Sequence, residues 1–376
     1  MEEGAQLTIK IVRKIEEISP EDWLRVFPDI LENYYFFKTS DESNFERFSF
    51  YYILVYQKDE VVGCAPCFYM DYPLDTTIQS PLKHLSNAVR KIFPNLLNLR
   101  AVVCGSPACE GRIGIAAEDK LKILEAVSCA LEQIAKDNKA SVIAFKDFSP
   151  DYTQFMDYLI KKGFYKLAGY PSVEINMRFR TFEEYLKNLS HANRKSLRRK
   201  FRRAEKLPKI DCRITNDLGE LLDAAYGLYL QTFSKSEIHF EEYTKDFLKN
   251  ISKNMPNEVK YFLWSINGRL VAFNLCLASK DALVDEFLGL DYSVAYKYSV
   301  YFITWRDILT WCIENGIKKY ESGALAYETK RRLGCKFVPV YIYVKHMNKF
   351  INPFFKILCI LLKPENFDVE LKTLYR

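Results

Sequence analysis

The chain of 376 residues carries 54 Lys and Arg against 48 Asp and Glu, a net charge of +6, and is 49% hydrophobic and 15% aromatic. That apolar content excludes a disordered chain, and the near balance of charge excludes a polycation throughout. The length exceeds what one core usually organises, so two domains are expected.

In chain order, the start MEEGAQLTIK lacks the positive segment and apolar run of a signal peptide. No apolar run reaches the roughly 18 residues that span a bilayer. With ten cysteines, this reads as a cytoplasmic protein with free thiols. YYILVYQKDEVVGCAPCF, residues 51–68, reads as strand, turn, strand. Its Cys64 and Cys67 form a CxxC inside an apolar run with no βαβ pattern around it, which favours buried cysteines over a redox pair. In the loop CGSPACEG, residues 104–111, Gly105 and Gly111 serve either a plain turn or a close backbone approach to a ligand. Residues 121–138 have helical periodicity, and the strand-like ASVIAF follows. A further helix-like piece and a strand close the first half near residue 170.

Residues 181–255 read as extra helical material, and HANRKSLRRKFRRAEK (191–206) is its basic part. Leu189, Leu197, Phe201 and Ala204 fall near one helical face, and Arg194, Arg198, Arg199 and Arg202 lie around the rest. Three readings are open: a solvated face, contact with phosphates, or a nuclear or DNA-targeting patch. No groove-reading motif supports sequence-specific nucleic-acid recognition. KYFLWSINGRLVAFNLCL (260–277) is a second hairpin, with Asn267-Gly268 suited to the positive φ of a two-residue turn. VDEFLGLD (284–291) reads as a strand, FITWRDILTWCIENG (302–316) as a helix ending at Gly316, and IKKYESGAL as another strand. YETKRRLGCKFVPVYIYVKH supplies a closing helix and strand. The tail FINPFFKILCILLKPENF is an amphipathic segment that either caps the second domain or rests on a membrane surface. The four histidines, 84, 191, 239 and 346, show no ligand spacing, so no metal is expected.

One element order thus occurs twice: hairpin, more sheet, helix, strand, helix, strand. The expected architecture is α/β, with domains at 1–170 and 171–376 and the basic segment inserted in the second.

The basic stretch, NGRLVAFNLCL and the run from FLGLDYSVAYKY to RRLGCKFVPV resemble the GNAT acyltransferase superfamily. The likeness is closer to its tandem-domain Fem-type branch, the aminoacyltransferases of peptidoglycan synthesis. The resemblance implies two GNAT-like domains (acyl-CoA N-acyltransferase-like), each a mixed sheet flanked by helices. It places Asp291 at a strand end, a helix around Trp305 to Cys312, Glu321-Ser322-Gly323 on the next strand, and Tyr327 to Lys330 with Gly334 in a YxxK…G element. It implies an acyl-CoA or acyl-carrier-protein donor, with aminoacyl-tRNA as the Fem-type alternative. This chain departs from the GNAT pattern in one place: DYSVAYKYSVYF, where a Gly-rich loop would cradle the CoA pyrophosphate, has no glycine and only Lys297 as a cation.

Acyl transfer needs a base, an aligned carbonyl and donors for the developing oxyanion. Strict alternation along 284–291 puts Val284, Glu286, Leu288 and Leu290 on one face and Asp285, Phe287, Gly289 and Asp291 on the other. Glu286 is then a candidate base or a carboxylate paired with a neighbour. Asp291 is a candidate at the mouth or a helix cap. Glu321 and Tyr327 complete the catalytic candidates; Lys330, Lys297, Arg194, Arg198, Arg199 and Arg202 are the donor- or phosphate-binding candidates. The expected function is an N-acyltransferase moving an acyl group from a thioester to a small or peptidyl amine. Its expected partners are that amine, a tRNA or acidic carrier protein, and a membrane surface met through the C-terminal segment. The alternative is a non-catalytic RNA- or anion-binding module on a degenerate scaffold.

Overall fold

The computed structural model describes residues 6–73, 98–236, 239–361, 363–366 and 369–375; His84 lies outside them. The chain forms two compact units. The first comprises Met1–Tyr170, Glu237–Glu242 and Pro339–Arg376, the second Pro171–Ser236 and Tyr243–Val338. The sequence expectation kept residues 171–376 in one domain. Residues 339–376 group instead with the first unit, because the strand that begins at Tyr341 pairs in the first unit's sheet, and the short segment 237–242 is grouped there as well.

Unit 1 is built on β1 (Leu7–Val12), β2 (Ser49–Gln57), β3 (Glu60–Pro73), β4 (Asn98–Cys104), β5 (Gly114–Ile115), β6 (Val142–Phe148), β7 (Tyr165–Ala168) and β15 (Tyr341–His346). The sheet order is β1-β2-β3-β4-β6-β15-β7, with β5 beside β3. Among the described strands of this sheet β4 and β6 pair in parallel, and the helix α3 (Lys120–Asp137) makes the crossover that such a pair requires. Asp119 caps that helix by accepting from Lys122 N at 3.2 Å. Its apolar stripe, Ile123, Leu124, Val127, Leu131 and Ile134, packs on Ile53, Val55, Val102, Ile143 and Phe145. Two further helices, α1 (Pro20–Val26) and α2 (Tyr34–Asp41), bury Trp23, Phe36 and Phe37. On the sheet's other face Phe68, Met70, Val103, Ala144 and Val344 meet Phe355 of the C-terminal helix Asn352–Leu361.

Unit 2 repeats the plan with β8 (Ser172–Asn176), β9 (Ile210–Thr215), β10 (Val259–Ile266), β11 (Arg269–Ala278), β12 (Ala282–Leu290), β13 (Lys319–Ser322) and β14 (Lys336–Val338). Read from the opposite edge, the order is β9-β10-β11-β12-β13-β8-β14. Again four antiparallel strands lead to one parallel pair, β12 with β13, and then to two antiparallel strands. The duplication is therefore one of topology, with each half's closing strand exchanged: β8 pairs in unit 2's sheet and β15 in unit 1's. This mixed α/β architecture, two mixed sheets flanked by helices, is the one expected. The stretch 181–255, expected to be helical, contains β9 as well, which forms an edge of the sheet against β10.

The helices of unit 2 are α4 (Phe182–Asn188), α5 (His191–Ala204), α6 (Leu222–Lys235), α7 (Lys245–Asn254), α8 (Tyr292–Tyr298), α9 (Val300–Glu314) and α10 (Tyr327–Arg332). On one face Tyr185, Leu197, Phe201, Ile303, Trp305 and Ile308 of α4, α5 and α9 pack against Phe262, Trp264, Cys276, Leu283 and Leu290. On the other, α6 and α7 lay Tyr229 and Phe247 among Tyr243, Phe273 and Phe287. Gly289 permits this approach: a Cβ there would fall 2.3 Å from the Phe273 ring and 2.8 Å from the Tyr229 backbone nitrogen. The β10–β11 hairpin turns at Asn267 and Gly268 with φ of 51° and 79°, the left-handed pair expected of Asn-Gly.

Candidate functional site

The parallel pairing of β12 with β13 runs from Ala282 opposite Lys319 to Asp285 opposite Ser322 and stops. Strand β12 continues to Leu290 against β11 alone. The two strands part at their C-terminal ends, where open α/β sheets place their ligands. At the same point β12 carries one extra residue. Phe287 is opposite Leu275 but Asp285 is opposite Cys276, so Glu286 is a β-bulge.

The bulge reverses the face of everything before it. Strict alternation put Asp285 with Phe287 and Gly289. In the structure Leu283 and Asp285 share the α9 side with Leu288 and Leu290, while Phe287 packs on α6. Asp285 accepts from Asn274 Nδ2 at 2.7 Å and from Tyr320 Oη at 2.8 Å. Burial pushes its carboxyl above the ordinary range, opposed by those two bonds and by the charge of Lys330.

Lys330 is only 6% exposed. Its Nζ donates to the carbonyls of Gly323 and Ala324. Burial lowers the ammonium to about 8, partly offset by Asp285. The loop it braces is strained: Leu325 and Ala326 are both left-handed, at φ of 73° and 52°. Two more polar atoms complete the cluster. Tyr301 Oη and Asn274 Oδ1 are buried with no hydrogen-bond partner among the described residues. A buried set in which two groups stay unpaired is costly unless water or a ligand completes it.

The other expected residues are placed as follows. Asp291, 3% exposed, is the N-cap of α8, accepting from Ser293 N at 2.9 Å, and it forms an ion pair with Arg269. Glu321 points away from Asp285, because its neighbour Tyr320 takes the inward face. It pairs with Lys319 at 2.9 Å, in a ladder that includes Glu174. Tyr327 is a buried core residue with its ring 5.3 Å from that of Phe337. Lys297 is exposed on α8. Arg194 donates to the Lys187 and Leu189 carbonyls and so closes the end of α4. Arg198 pairs with Glu183 at 2.6 Å. Arg199 and Arg202 are exposed with Arg203 and Lys206. Burial, then the charges of Arg199 and Arg332, lower the Lys200 ammonium, which places α5 and α10 cations side by side.

Of the residues singled out in sequence, Lys330 and the bulge residue Glu286 thus lie at the split. Asp285, Asn274, Tyr320 and Tyr301 were missed. The signal was present in ALVDEFLGL, whose leucines change parity between Leu283 and Leu288, as a bulge requires.

The fit for a CoA pyrophosphate at the start of α8 is poor. That helix has seven residues and no glycine at its start, and its Ser293 amide already donates to the Asp291 carboxylate.

In unit 1, Gly105 has φ of 127°. A Cβ on Gly111 would fall 1.9 Å from the Lys146 carbonyl oxygen, so the loop needs its glycines to pack against β6. All ten cysteines are free, and Cys64, Cys67 and Cys104 are buried together with thiol pKa values of the first two raised by burial. Among the described residues no group of His, Cys, Asp and Glu is arranged to hold a metal, and no helix is long and apolar enough to cross a membrane.

Comparison with known proteins follows the fold. The FemAB-like family model, described as peptidoglycan biosynthesis/recognition, matches residues 14–357. The crystal structure of FemX superposes with a TM-score of 0.57 at 12% identity, covering 93% of this chain and 99% of that one. A tandem GNAT protein from the clavulanic acid biosynthesis pathway gives 0.55 at 8% identity, covering 91% and 99%. Curated relatives from two strains of Mycobacterium tuberculosis, recorded under the name 8-amino-7-oxononanoate synthase 2, are 20% identical over 322 residues, 83% of this chain. The chain spans 42% of the length of those relatives.

Proposed function

The chain belongs to the FemAB-like family, and from that premise we propose that it transfers an aminoacyl group from a polyanionic donor to an amine at the β12–β13 split. The observation that carries this reading is the divergence of the two strands at Asp285 and Ser322, with a bulge at Glu286 and a buried Lys330 beside it. In this reading the acceptor amine attacks the ester carbonyl of the donor and a C–N bond forms. Glu286 takes the proton the nitrogen loses. The C–O bond to the leaving ribose oxygen then breaks and the proton passes to that oxygen, leaving an amide and a free hydroxyl. Lys330 holds the 323–326 loop in its strained form through the two carbonyls and so shapes one wall of the split.

The donor order reverses the sequence expectation, which put a thioester on CoA or a carrier protein first. The Asp291 side chain already takes the Ser293 amide at the start of α8, and no glycine opens that turn to a pyrophosphate. The exposed Arg199, Arg202 and Arg203 of α5 favour an RNA backbone instead. The family description favours a peptidyl amine acceptor. A thioester on an acidic carrier protein is the second reading, since the same cations suit it.

The test is a donor panel of charged tRNAs, acyl-CoAs and acyl-carrier proteins, each offered with peptidyl amines, with amide product measured by mass spectrometry. The reading expects product from charged tRNA and none from CoA thioesters. Product from acyl-CoA alone would overturn the donor assignment. No product from any donor would leave the anion-binding alternative, a module that retains RNA without chemistry.

A further inference from the structure

We propose that the C-terminal helix of unit 1 docks this protein on a lipid surface that carries anionic headgroups. The helix Asn352–Leu361 has two apolar faces, and only one is used. Asn352 and Phe355 are buried, Phe355 and Cys359 packing against the sheet with Phe68, Met70 and Val344. The helix therefore caps unit 1, where one of the two sequence readings had it cap the second domain. The opposite face is apolar too. Phe350 is 78% exposed, Phe354 73%, Ile357 57%, Leu358 37% and Leu361 61%. At 100° per residue Phe354, Ile357, Leu358 and Leu361 fall within an arc of about 100°, the width of a continuous apolar stripe, and Phe350 lies in the turn just before the helix. Scattered exposed apolar residues need no explanation, but a contiguous stripe of two Phe, an Ile and two Leu does.

The chemistry around the stripe selects the occupant. From His346 to Lys363 the sequence has no Asp or Glu. Lys356 is exposed on the helix about 150° from the centre of the stripe, Lys349 is exposed in the turn before it, and neither has an ion-pair partner among the described residues. The stem of Lys356 lies over Tyr165, with Nζ 5.1 Å from the ring centroid. Long cationic side chains beside an apolar stripe let the stripe enter the acyl boundary while the ammoniums stay among headgroups. A second protein copy would gain nothing from these lysines, because like would meet like across a two-fold axis. An anionic bilayer surface satisfies both the stripe and the charges. With ten residues the helix is about 15 Å long, too short to span, so it lies in the surface plane.

The test is flotation of the full chain with vesicles of phosphatidylcholine alone and of phosphatidylcholine mixed with phosphatidylglycerol, with light scattering of the free protein. The wild type floats with the mixed vesicles and is monomeric without them. Lys349→Ala/Lys356→Ala weakens that binding roughly thirtyfold, about fivefold for each lysine. Phe354→Asp/Ile357→Asp abolishes it without lowering Tm, because both side chains point outward. Three outcomes would each overturn the proposal: wild type that stays unbound with the mixed vesicles, binding that survives Phe354→Asp/Ile357→Asp, or a dimer that this pair of substitutions converts to monomer.

Discussion

Replacing Lys330 by Met tests the burial at the heart of the candidate site. Met keeps most of the volume and loses the charge. In the folded chain the Lys330 ammonium is lowered to about 8, from 10.5 in the unfolded chain. Between those two pH values the unfolded chain holds a proton that the folded chain has released. Stability contributed by this residue therefore rises as pH climbs from 8 to 10.5. The shift corresponds to about 3 kcal/mol across the window, at about 1.36 kcal/mol per pH unit. Buried tyrosines such as Tyr185 and Tyr320, with phenol pKa values raised by burial, act in the opposite direction. The quantity to measure is thus the difference between wild type and Lys330→Met, from urea unfolding at intervals between pH 7 and 10.5. The account expects that difference to tilt steadily in favour of the wild type as pH rises, because the variant lacks the residue that gains. A flat difference across the window would show that Lys330 is solvated, and the geometry at Gly323 and Ala324 would fall with it.

Asp285→Asn should lower stability by about 1–3 kcal/mol at pH 7, since it disturbs the bond from Asn274 and strips Lys330 of its counter-charge. Moving the Lys330-linked transition to lower pH is its second expected effect, and urea titrations of the variant read both. Gly289→Ala should cost about 1–3 kcal/mol by forcing a methyl into the Phe273 ring and the α6 backbone, checked by Tm and by near-UV circular dichroism. In unit 1, burial raises the Glu241 carboxyl from 4.5 to about 7, beside Lys146 and Asp147. A raised acid stabilises the fold fully below the unfolded value and loses that contribution as pH rises through 7. Glu241→Gln should therefore gain Tm on the wild type between pH 5 and 8; equal Tm gaps at both ends would refute it. Arg199→Ala/Arg202→Ala/Arg203→Ala should leave the unfolding free energy within about 0.5 kcal/mol of unchanged, read by urea unfolding. It should also reduce the salt dependence of RNA binding by about 0.7 per lost contact.

Periodicity carried the fold far because both halves repeat one sheet with one parallel crossover. The helices over 121–138 and 302–316 and the Asn267-Gly268 turn appear close to where their patterns place them. Strand exchange was not legible. Nothing local in SVEIN or YIYVKH distinguishes pairing within its own half from pairing in the other, because a strand's own sequence does not name its partner. The site was half legible. Lys330 stands in a motif that resembles a family pattern, but Asp285 required knowing that Glu286 is a bulge. Alternation fails at one inserted residue, and that residue sits where the strands part. Asp291 drew attention for its position at a strand end, and position alone does not separate a reactive carboxylate from a helix cap.

The most direct measurement of the central claim is single-turnover transfer by Glu286→Gln, using the donor that the panel identifies. The account predicts a chemical step slower by about 10²–10⁴-fold with donor binding unchanged and Tm unaltered, since the change removes a proton acceptor and keeps the shape. A variant that transfers at the wild-type rate would place the reaction somewhere other than the parting of β12 and β13.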